Sequence, residues 1–362
     1  MGVDAAAAES LRVGLDVTPV LAGLTGVARY TIGLELGLRA RGVDVRAFGI
    51  GNGRGALGPS ARHVKIPLRV MRRLWALHLP PRAESFTGPI DLLHSVDLDP
   101  PRCRVPVVST IHDLAALEFP ELHPPAAVAG ASRRLRSLER AAAVLADSGA
   151  TANALVRNGI ERSRVTVVPL APHPLPEARA DEAGVPGPYL LAVGELTLRK
   201  DYPTLFRAFA QADLPDFRLV VVGPDGFGAD EVHAAAAASG LGDRLVMVGY
   251  ASDRRLSALY AGASALVLTT REEGFGLPLV EAMSRGLPIV ASDIEVVAEV
   301  AGEAALRAPT GDAAAFAACL ERVVRDPEAR AAASTAGRQR SLTYTWDRTV
   351  DKTIEVYQRV AG

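Results

Sequence analysis

Short apolar runs rich in Val, Leu and Ala punctuate the chain, and longer stretches with apolar residues at helical spacing separate them. The runs LRVGLDV (11–17), VDVRAF (43–48), DLLHS (91–95), VPVVSTIHDL (105–114), AAVLADS (142–148) and VTVVPLA (165–171) come first. Each has the length of a strand, and the spacing leaves room for one helix between successive strands, which predicts repeated βα units and a parallel sheet. Several runs are apolar throughout rather than alternating, as expected for strands covered on both faces.

The rhythm breaks at PHPLPEARADEAGVPG (172–187), where four prolines and few apolar residues allow neither element to continue easily. It restarts with YLLAVGEL (189–196), FRLVVVG (217–223), RLVMVGY (244–250), SALVLTT (264–270), LPIVAS (287–292) and AALRAP (304–309). The expected organisation is a Rossmann-like domain over 1–175, a linker at 176–187, a second Rossmann-like domain over 188–340 and a C-terminal helix within 341–362. Trp346, Val350, Ile354 and Tyr357 share one face of that helix, which predicts that it packs back across the domains. The fold class is therefore α/β, two parallel-sheet domains facing each other across a cleft. In such sheets ligands bind beyond the carboxyl ends of the strands, so the motifs that carry chemistry should follow strands.

Composition narrows the function. The 362 residues are enough for two domains; 49% are hydrophobic and only 5% aromatic, so the cores are aliphatic. A formal net charge of −1 gives no electrostatic reason to expect a nucleic acid as partner. Cys103 and Cys319 have neither disulfide nor metal-ligand spacing, which suits a reducing compartment. The N-terminal MGVDAAAAES lacks a basic flank and an apolar core, and no later run reaches the roughly 18 apolar residues of a spanning helix. A cytoplasmic protein is expected.

The stretch REEGFGLPLVEAMSRGLPIVAS (271–292) reads as a turn after the strand SALVLTT, a helix with Pro278 near its first position and Gly286 as its terminator, and then a strand. Gly274 and Gly276 let the backbone approach a ligand, and the amides of Phe275, Gly276 and Leu277 lie where a helix start attracts an anion such as a diphosphate. Glu273 at the loop entrance and Glu281, expected in the first helical turn, would accept hydrogen bonds from hydroxyls on either side of it. The plainer alternative is a solvated loop acid and a carboxylate that complements the helix dipole.

EGFGLPLVEAM resembles the E-x7-E signature of the retaining glycosyltransferases of family four, whose fold is GT-B. TGVARYTIGLELGL (25–38) is similar to the family's N-terminal glycine loop, and VVSTIHDLAALEFPE (107–121) to its strand ending in a His-Asp pair. VGELTLRKDYPTLFRAF, LVVVGPDGFG and EVAGEAA follow in family order, so the resemblance spans about residues 11 to 358 and is closest in style to mannosyltransferase branches. It implies that Glu273 contacts the transferred sugar, Glu281 the ribose, the 274–277 amides the sugar and phosphate, and that His112 with Asp113 faces the sugar. Arg199 and Lys200 would neutralise the departing diphosphate, and Gly26 would admit the donor phosphates to the first loop. Lys65, Lys200 and Lys352 are the three lysines among 40 basic residues, so a lysine at the phosphate position is informative. The chain departs from many relatives in having Glu195, not arginine, directly after the motif's glycine.

Three further segments receive plain readings. Asp97-Leu98-Asp99 has a D-x-D spacing, but it lies in a turn before proline, and no metal is expected. GPDGFG (223–228) lacks the glycine order of a dinucleotide fingerprint and reads as a tight βα turn. HVKIPLRVMRRLWALHLPPR (63–82) is a basic segment with Trp75, read as an ordinary surface helix with a packed tryptophan; peripheral contact with a membrane or a lipid-linked acceptor is the alternative. The resulting expectation is a retaining, metal-independent hexosyltransferase with no cofactor beyond its nucleoside diphosphate sugar. GDP-mannose is the first donor and a UDP-hexose the second, with a glycan, a lipid-linked sugar or a small molecule as acceptor. A non-catalytic partner subunit of the same fold is the other class.

Overall fold

The computed structural model describes residues 11–23, 25–53 and 55–362; the N-terminal MGVDAAAAES, on which the reading of a missing leader rests, lies outside them. The chain forms two compact units. One comprises residues 11–114, 129–173 and 345–362, and the other residues 115–128 and 174–344.

The first unit holds a seven-stranded, all-parallel sheet. Its strands are β1 (Arg12–Asp16), β2 (Asp44–Ile50), β3 (Arg62–Val64), β4 (Leu92–Ser95), β5 (Val107–Ile111), β6 (Ala143–Ala146) and β7 (Val165–Val167), in the spatial order β3-β2-β1-β4-β5-β6-β7. The three-residue edge strand β3 escaped the sequence reading because RHV carries no apolar run. The strands β4, β5 and β6 are buried along their whole length, which is why their sequences do not alternate.

The second unit holds a six-stranded sheet of β8 (Tyr189–Val193), β9 (Arg218–Val222), β10 (Leu245–Gly249), β11 (Ala265–Leu268), β12 (Ile289–Ser292) and β13 (Ala305–Ala308). Their order is β10-β9-β8-β11-β12-β13, again all parallel. Its core packs Leu190, Leu219, Val221 and Val267 of the sheet against Phe206, Phe209 and Phe316 of the covering helices. The Pro-rich stretch contains one 3-10 turn, Ala180–Ala183, closed at Gly184 in the left-handed region (φ 68°).

In both sheets the strand order reverses direction once, between β1 and β4 in the first and between β8 and β11 in the second. Connections leave such a point to opposite faces, opening a crevice at the carboxyl ends of the two strands. The residues after β1 and β4, and after β8 and β11, are therefore the ones the topology presents to a ligand.

The C-terminal helix Trp346–Ala361 belongs to the first unit, with Val350, Ile354 and Tyr357 buried as the pattern required. It lies on the helix Gly26–Ala40, where a Cβ on Gly33 would stand 2.2 Å from the Trp346 ring and one on Gly37 2.3 Å from Val350. Two glycines thus cut the groove that receives the helix. In the helix Leu68–Ala76, Met71 and Trp75 are buried and the Trp75 indole donates to the Pro81 carbonyl at 2.7 Å, so this tryptophan packs inward.

Candidate active site

The reversal point of the second sheet gathers most of the expected residues. After β8 the chain turns at Gly194 and passes Glu195 to the short 3-10 turn Leu198–Lys200; after β11 it runs through Thr269 and Thr270 to Glu273. The two loops are stitched together: Arg271 N donates to Arg199 O at 2.8 Å and Thr269 Oγ1 to Lys200 O at 3.0 Å, while Thr270 Oγ1 lies 2.6 Å from Glu272 O and 3.1 Å from Arg199 O. Side chains 70 positions apart in sequence are fixed to one another in this way.

Lys200 Nζ donates directly to Glu273 Oε2, and Arg199 Nη1 reaches the same oxygen at 3.4 Å. Lys200 is 7% exposed, so it is held in a poorly hydrated place. Burial lowers its pKa, and Glu273 restores part of the loss. For Glu273 burial alone would raise the pKa, but Lys200 and Arg199 outweigh it and hold the carboxyl below its ordinary value. A ligand anion entering here meets two cations already positioned by Glu273, with Glu272 3.9 Å from Arg199.

Local chain geometry explains the fit. A Cβ on Gly194 would lie 3.2 Å from the Lys200 stem, and Gly194 has φ 153°, so glycine leaves the lysine its path. Tyr202 donates its hydroxyl to Gly194 O at 2.7 Å and fixes that turn. Asp201 takes the left-handed conformation (φ 48°), which aspartate tolerates better than most residues, and its carboxylate accepts from Arg271 Nε at 3.1 Å. Gly194, Asp201, Tyr202, Thr269 and Thr270 were not singled out from sequence. The one available signal was RKDYP, an aspartate just before a helix with proline in its first turn.

The helix Leu277–Ser284 begins at Gly276, whose φ of 86° requires glycine, and no side chain caps it. Its first amides are therefore not occupied by a capping side chain of the helix itself. Phe275 turns its ring inward, edge-on to Tyr344 at 5.6 Å, so its contribution to an anion site is its backbone N–H alone. Glu281 does not occupy the first turn as expected from sequence. The helix starts at Leu277, which places Glu281 in the second turn, 6% exposed, accepting the Tyr260 hydroxyl at 2.7 Å. A carboxylate there is too far along for mere dipole complementation and is aimed by Tyr260. Gly274, Gly276, Leu277 and Glu281 thus share one loop-helix start. Glu195 is exposed beside Gly226, outside the Lys200 cluster's hydrogen bonds.

In the first unit, Ile111 of β5 pairs in register with Ala146 of β6, so the next residues, His112 and Asp147, emerge side by side. His112 Nδ1 lies 2.6 Å from Asp147 Oδ2. Burial raises the pKa of Asp147 and the His112 contact opposes it; with the carboxylate ionised it only accepts, so Nδ1 is the donor. Burial lowers the pKa of His112, but Asp147, with Asp97 and Asp113 in support, brings it above the ordinary histidine value. Tyr30 stands edge-on to the His112 ring at 5.0 Å and shares its hydroxyl with Thr110 at 3.0 Å. Behind them His94, wholly buried and pushed down to about 3 by burial, links the Thr110 hydroxyl to that of Tyr357. Asp113 follows His112 in the same loop.

Gly26 is not in a turn. It is the first residue of the helix Gly26–Ala40, which Thr25 caps by accepting from Ala28 N at 3.2 Å, and among the described residues before it Gly23 has a positive φ (108°). Of the D-x-D pair, Asp99 is bound by Arg72 at 2.9 Å and Asp97 accepts from the Leu98 amide at 2.7 Å.

Two parallel sheets with one reversal point each, and a Lys-Arg-Glu cluster beside a glycine-started helix, are what the resemblance to GT-B glycosyltransferases leads one to expect. Comparisons agree. The family model of glycosyl transferases group 1 matches residues 177–340 and that of glycosyltransferase family 4 matches residues 24–171. The chain belongs to this family of glycosyltransferases. It is 28% identical over 265 residues to the O-antigen chain mannosyltransferase B of Escherichia coli, covering 69% of this chain and 70% of that one. It is 30% identical over 240 residues to the D-inositol 3-phosphate glycosyltransferase of Nocardia farcinica, 59% of this chain but only 53% of that relative, about half its length. The sucrose-phosphate synthase of Thermosynechococcus elongatus shares the fold with a TM-score of 0.78, at 21% identity, over 96% of this chain and 98% of that one.

Proposed function

We propose that the protein transfers a hexose from a nucleoside diphosphate sugar to an acceptor hydroxyl, with retention of configuration and without a metal ion. The observation that carries this reading is the Lys200–Arg199–Glu273 cluster set against the start of the Leu277–Ser284 helix. Cleaving the glycosidic bond leaves negative charge on the diphosphate, and cations and amides fixed in a poorly hydrated site stabilise that charge without reorganising. Lys200, Arg199 and the 274–277 amides perform this step. Their charge takes the place of a divalent ion, so transfer should persist in EDTA. Glu281, aimed by Tyr260, receives the ribose hydroxyls, and Glu273 with its loop receives the sugar.

Retention through a covalent intermediate needs a carboxylate poised as a nucleophile. Glu273 is instead engaged by two cations, which favours attack on the same face, with the leaving phosphate taking the acceptor's proton. GDP-mannose is the first donor, a choice supported by the likeness to a mannosyltransferase; a UDP-hexose is the second. The acceptor is a glycan, a lipid-linked sugar or a small molecule. Ile66, Val70, Leu77 and Leu79 are exposed beside Arg69 and Arg73, which is what favours a peripheral membrane contact as a secondary reading. Among the described residues no helix is long and apolar enough to cross a membrane.

The test is thermal stability against GDP, UDP and their common sugar conjugates, with Glu281→Ala as control, since a ligand bound only by the folded state raises the midpoint. A GDP-selective rise lost in the variant supports mannosyl transfer, a UDP-selective one redirects the donor, and no rise with any nucleotide points to the non-catalytic subunit.

A further inference from the structure

We infer that Asp147 is a positioning residue for His112, holding the Nδ1 proton so that every proton exchange of that imidazole takes place at Nε2. The inference rests on the transferase reading, in which His112 serves the transfer step. It adds a residue that neither the motifs nor the comparisons assign.

The geometry makes the case in three parts. First, register: Ile111 and Ala146 are paired on adjacent strands, so the residues that follow them are forced together, and the 2.6 Å contact between Nδ1 and Oδ2 is built into the sheet rather than into a mobile loop. Second, Asp147 is 1% exposed, and among the described residues its other oxygen has no hydrogen-bond partner. A carboxylate kept from water in this way is costly unless it meets a charged or strongly donating partner, and His112 is the one it has. Third, His112 Nε2 is itself buried and has no hydrogen-bond partner among the described residues. One nitrogen is committed and the other is kept apart, the arrangement in which a carboxylate sets an imidazole's tautomer and orientation.

The surroundings do not offer an alternative anchor. Tyr30 meets the ring by its edge and commits its hydroxyl to Thr110; Thr151 Oγ1 donates to the His112 carbonyl at 3.4 Å, not to the ring. Asp97 and Asp113 act on His112 only through their charge, and His94, the other titratable group near it, is neutral. With Nδ1–H donated to Asp147 in both protonation states, the imidazole accepts at Nε2 when neutral and donates from Nε2 when charged. No second tautomer competes.

The helix start that follows explains why Asp147 can be rigid. Ser148 caps the helix Gly149–Arg157 by accepting from Thr151 N at 3.0 Å, which fixes the backbone one residue after the aspartate.

The experiment uses the full chain with 15N-labelled histidine, recording the ring nitrogens by NMR through a pH titration and assigning His112 with His112→Gln. The wild type should show protonation at Nδ1 in the neutral form and a midpoint above that of an ordinary histidine. In the isosteric Asp147→Asn the midpoint should fall by about one unit or more. Turnover with the nucleotide sugar should fall by about a hundredfold while its KM stays unchanged, and adding Asp147→Asn to His112→Gln should cost nothing further. An Nε2-protonated neutral form in the wild type, an unmoved midpoint in Asp147→Asn, or losses that multiply in the double variant would each overturn the inference. If Asp147→Asn fails to fold, the wild-type tautomer still decides. If no donor supports transfer at all, the transferase reading falls, while the NMR titration judges Asp147 independently.

Discussion

The two sheets have the same kind of reversal point but fill it differently, one with a cluster of cations paired to acids and the other with two neighbouring acids. In the second unit the loops after β8 and β11 bring Arg199 and Lys200 to Glu273, with Glu272 3.9 Å from Arg199, so the crevice holds two fixed cations in an ion-paired cluster. In the first unit Asp16 at the end of β1 and Asp97 in the loop after β4 are close enough for Asp97 to help raise the Asp16 pKa, with Arg72 opposing it. Fold alone therefore does not decide what a reversal point binds. One presents fixed cations, while the other presents carboxylate acceptors.

The contrast is sharpest at Lys200, and the largest effect is expected there. Lys200→Ala should lower the transfer rate about a thousandfold, the scale of removing a fixed charge from the leaving group, and Lys200→Arg should not restore it because the buried site fits a slender stem past Gly194. Steady-state rates at saturating donor check this; a tenfold loss or less would mean that the cation is structural.

Glu273→Gln comes next. It leaves Lys200 without the carboxylate it donates to and Arg199 with the more distant Glu272, and unfolding in denaturant should show a loss of about 3 kcal/mol near neutral pH. The pH dependence has a definite sign. The pKa of Glu273 is depressed in the folded state, so its contribution is present above the ordinary carboxylate range and is lost as pH falls through the folded value. The gap between wild type and variant should accordingly close in acid.

Asp16 should behave in the opposite sense, with the smallest effect. Its pKa is raised to about 6, chiefly by burial, so the stability it lends is complete below its ordinary value of 3.8 and lost as pH rises through about 6. Asp16→Asn keeps an acceptor for the Thr18 amide, which Asp16 Oδ1 now receives at 2.9 Å. Its melting temperature should exceed the wild type's at pH 7 by about 2–4 °C and match it near pH 4. Equal pH profiles for the two proteins would remove the acidic half of the comparison.

Much of this was legible in sequence because parallel strands covered on both faces announce themselves as apolar runs. Residues that follow such runs, including Arg199, Lys200, Glu273 and His112, could be placed by that rule together with the resemblance. Whatever depended on which strands are neighbours could not. Asp147 lies 35 positions from His112 and is joined to it only through the pairing of β5 with β6. Tyr260, which aims Glu281, comes from a helix two elements earlier, and Thr269 and Thr270 act through hydroxyls onto backbone carbonyls. Gly26, placed by the resemblance in a glycine loop, opens a helix because Thr25 serves as its cap, a local choice that the resemblance did not carry.

The central claim is that the second unit's cations hold the diphosphate of the donor. Calorimetric titration of the nucleoside and of its diphosphate into wild type and Lys200→Ala tests it most directly. The account predicts that the diphosphate binds the wild type far more tightly than the nucleoside does, and that Lys200→Ala removes most of this difference while leaving nucleoside binding intact. Equal loss for both ligands, or no loss for either, would contradict it.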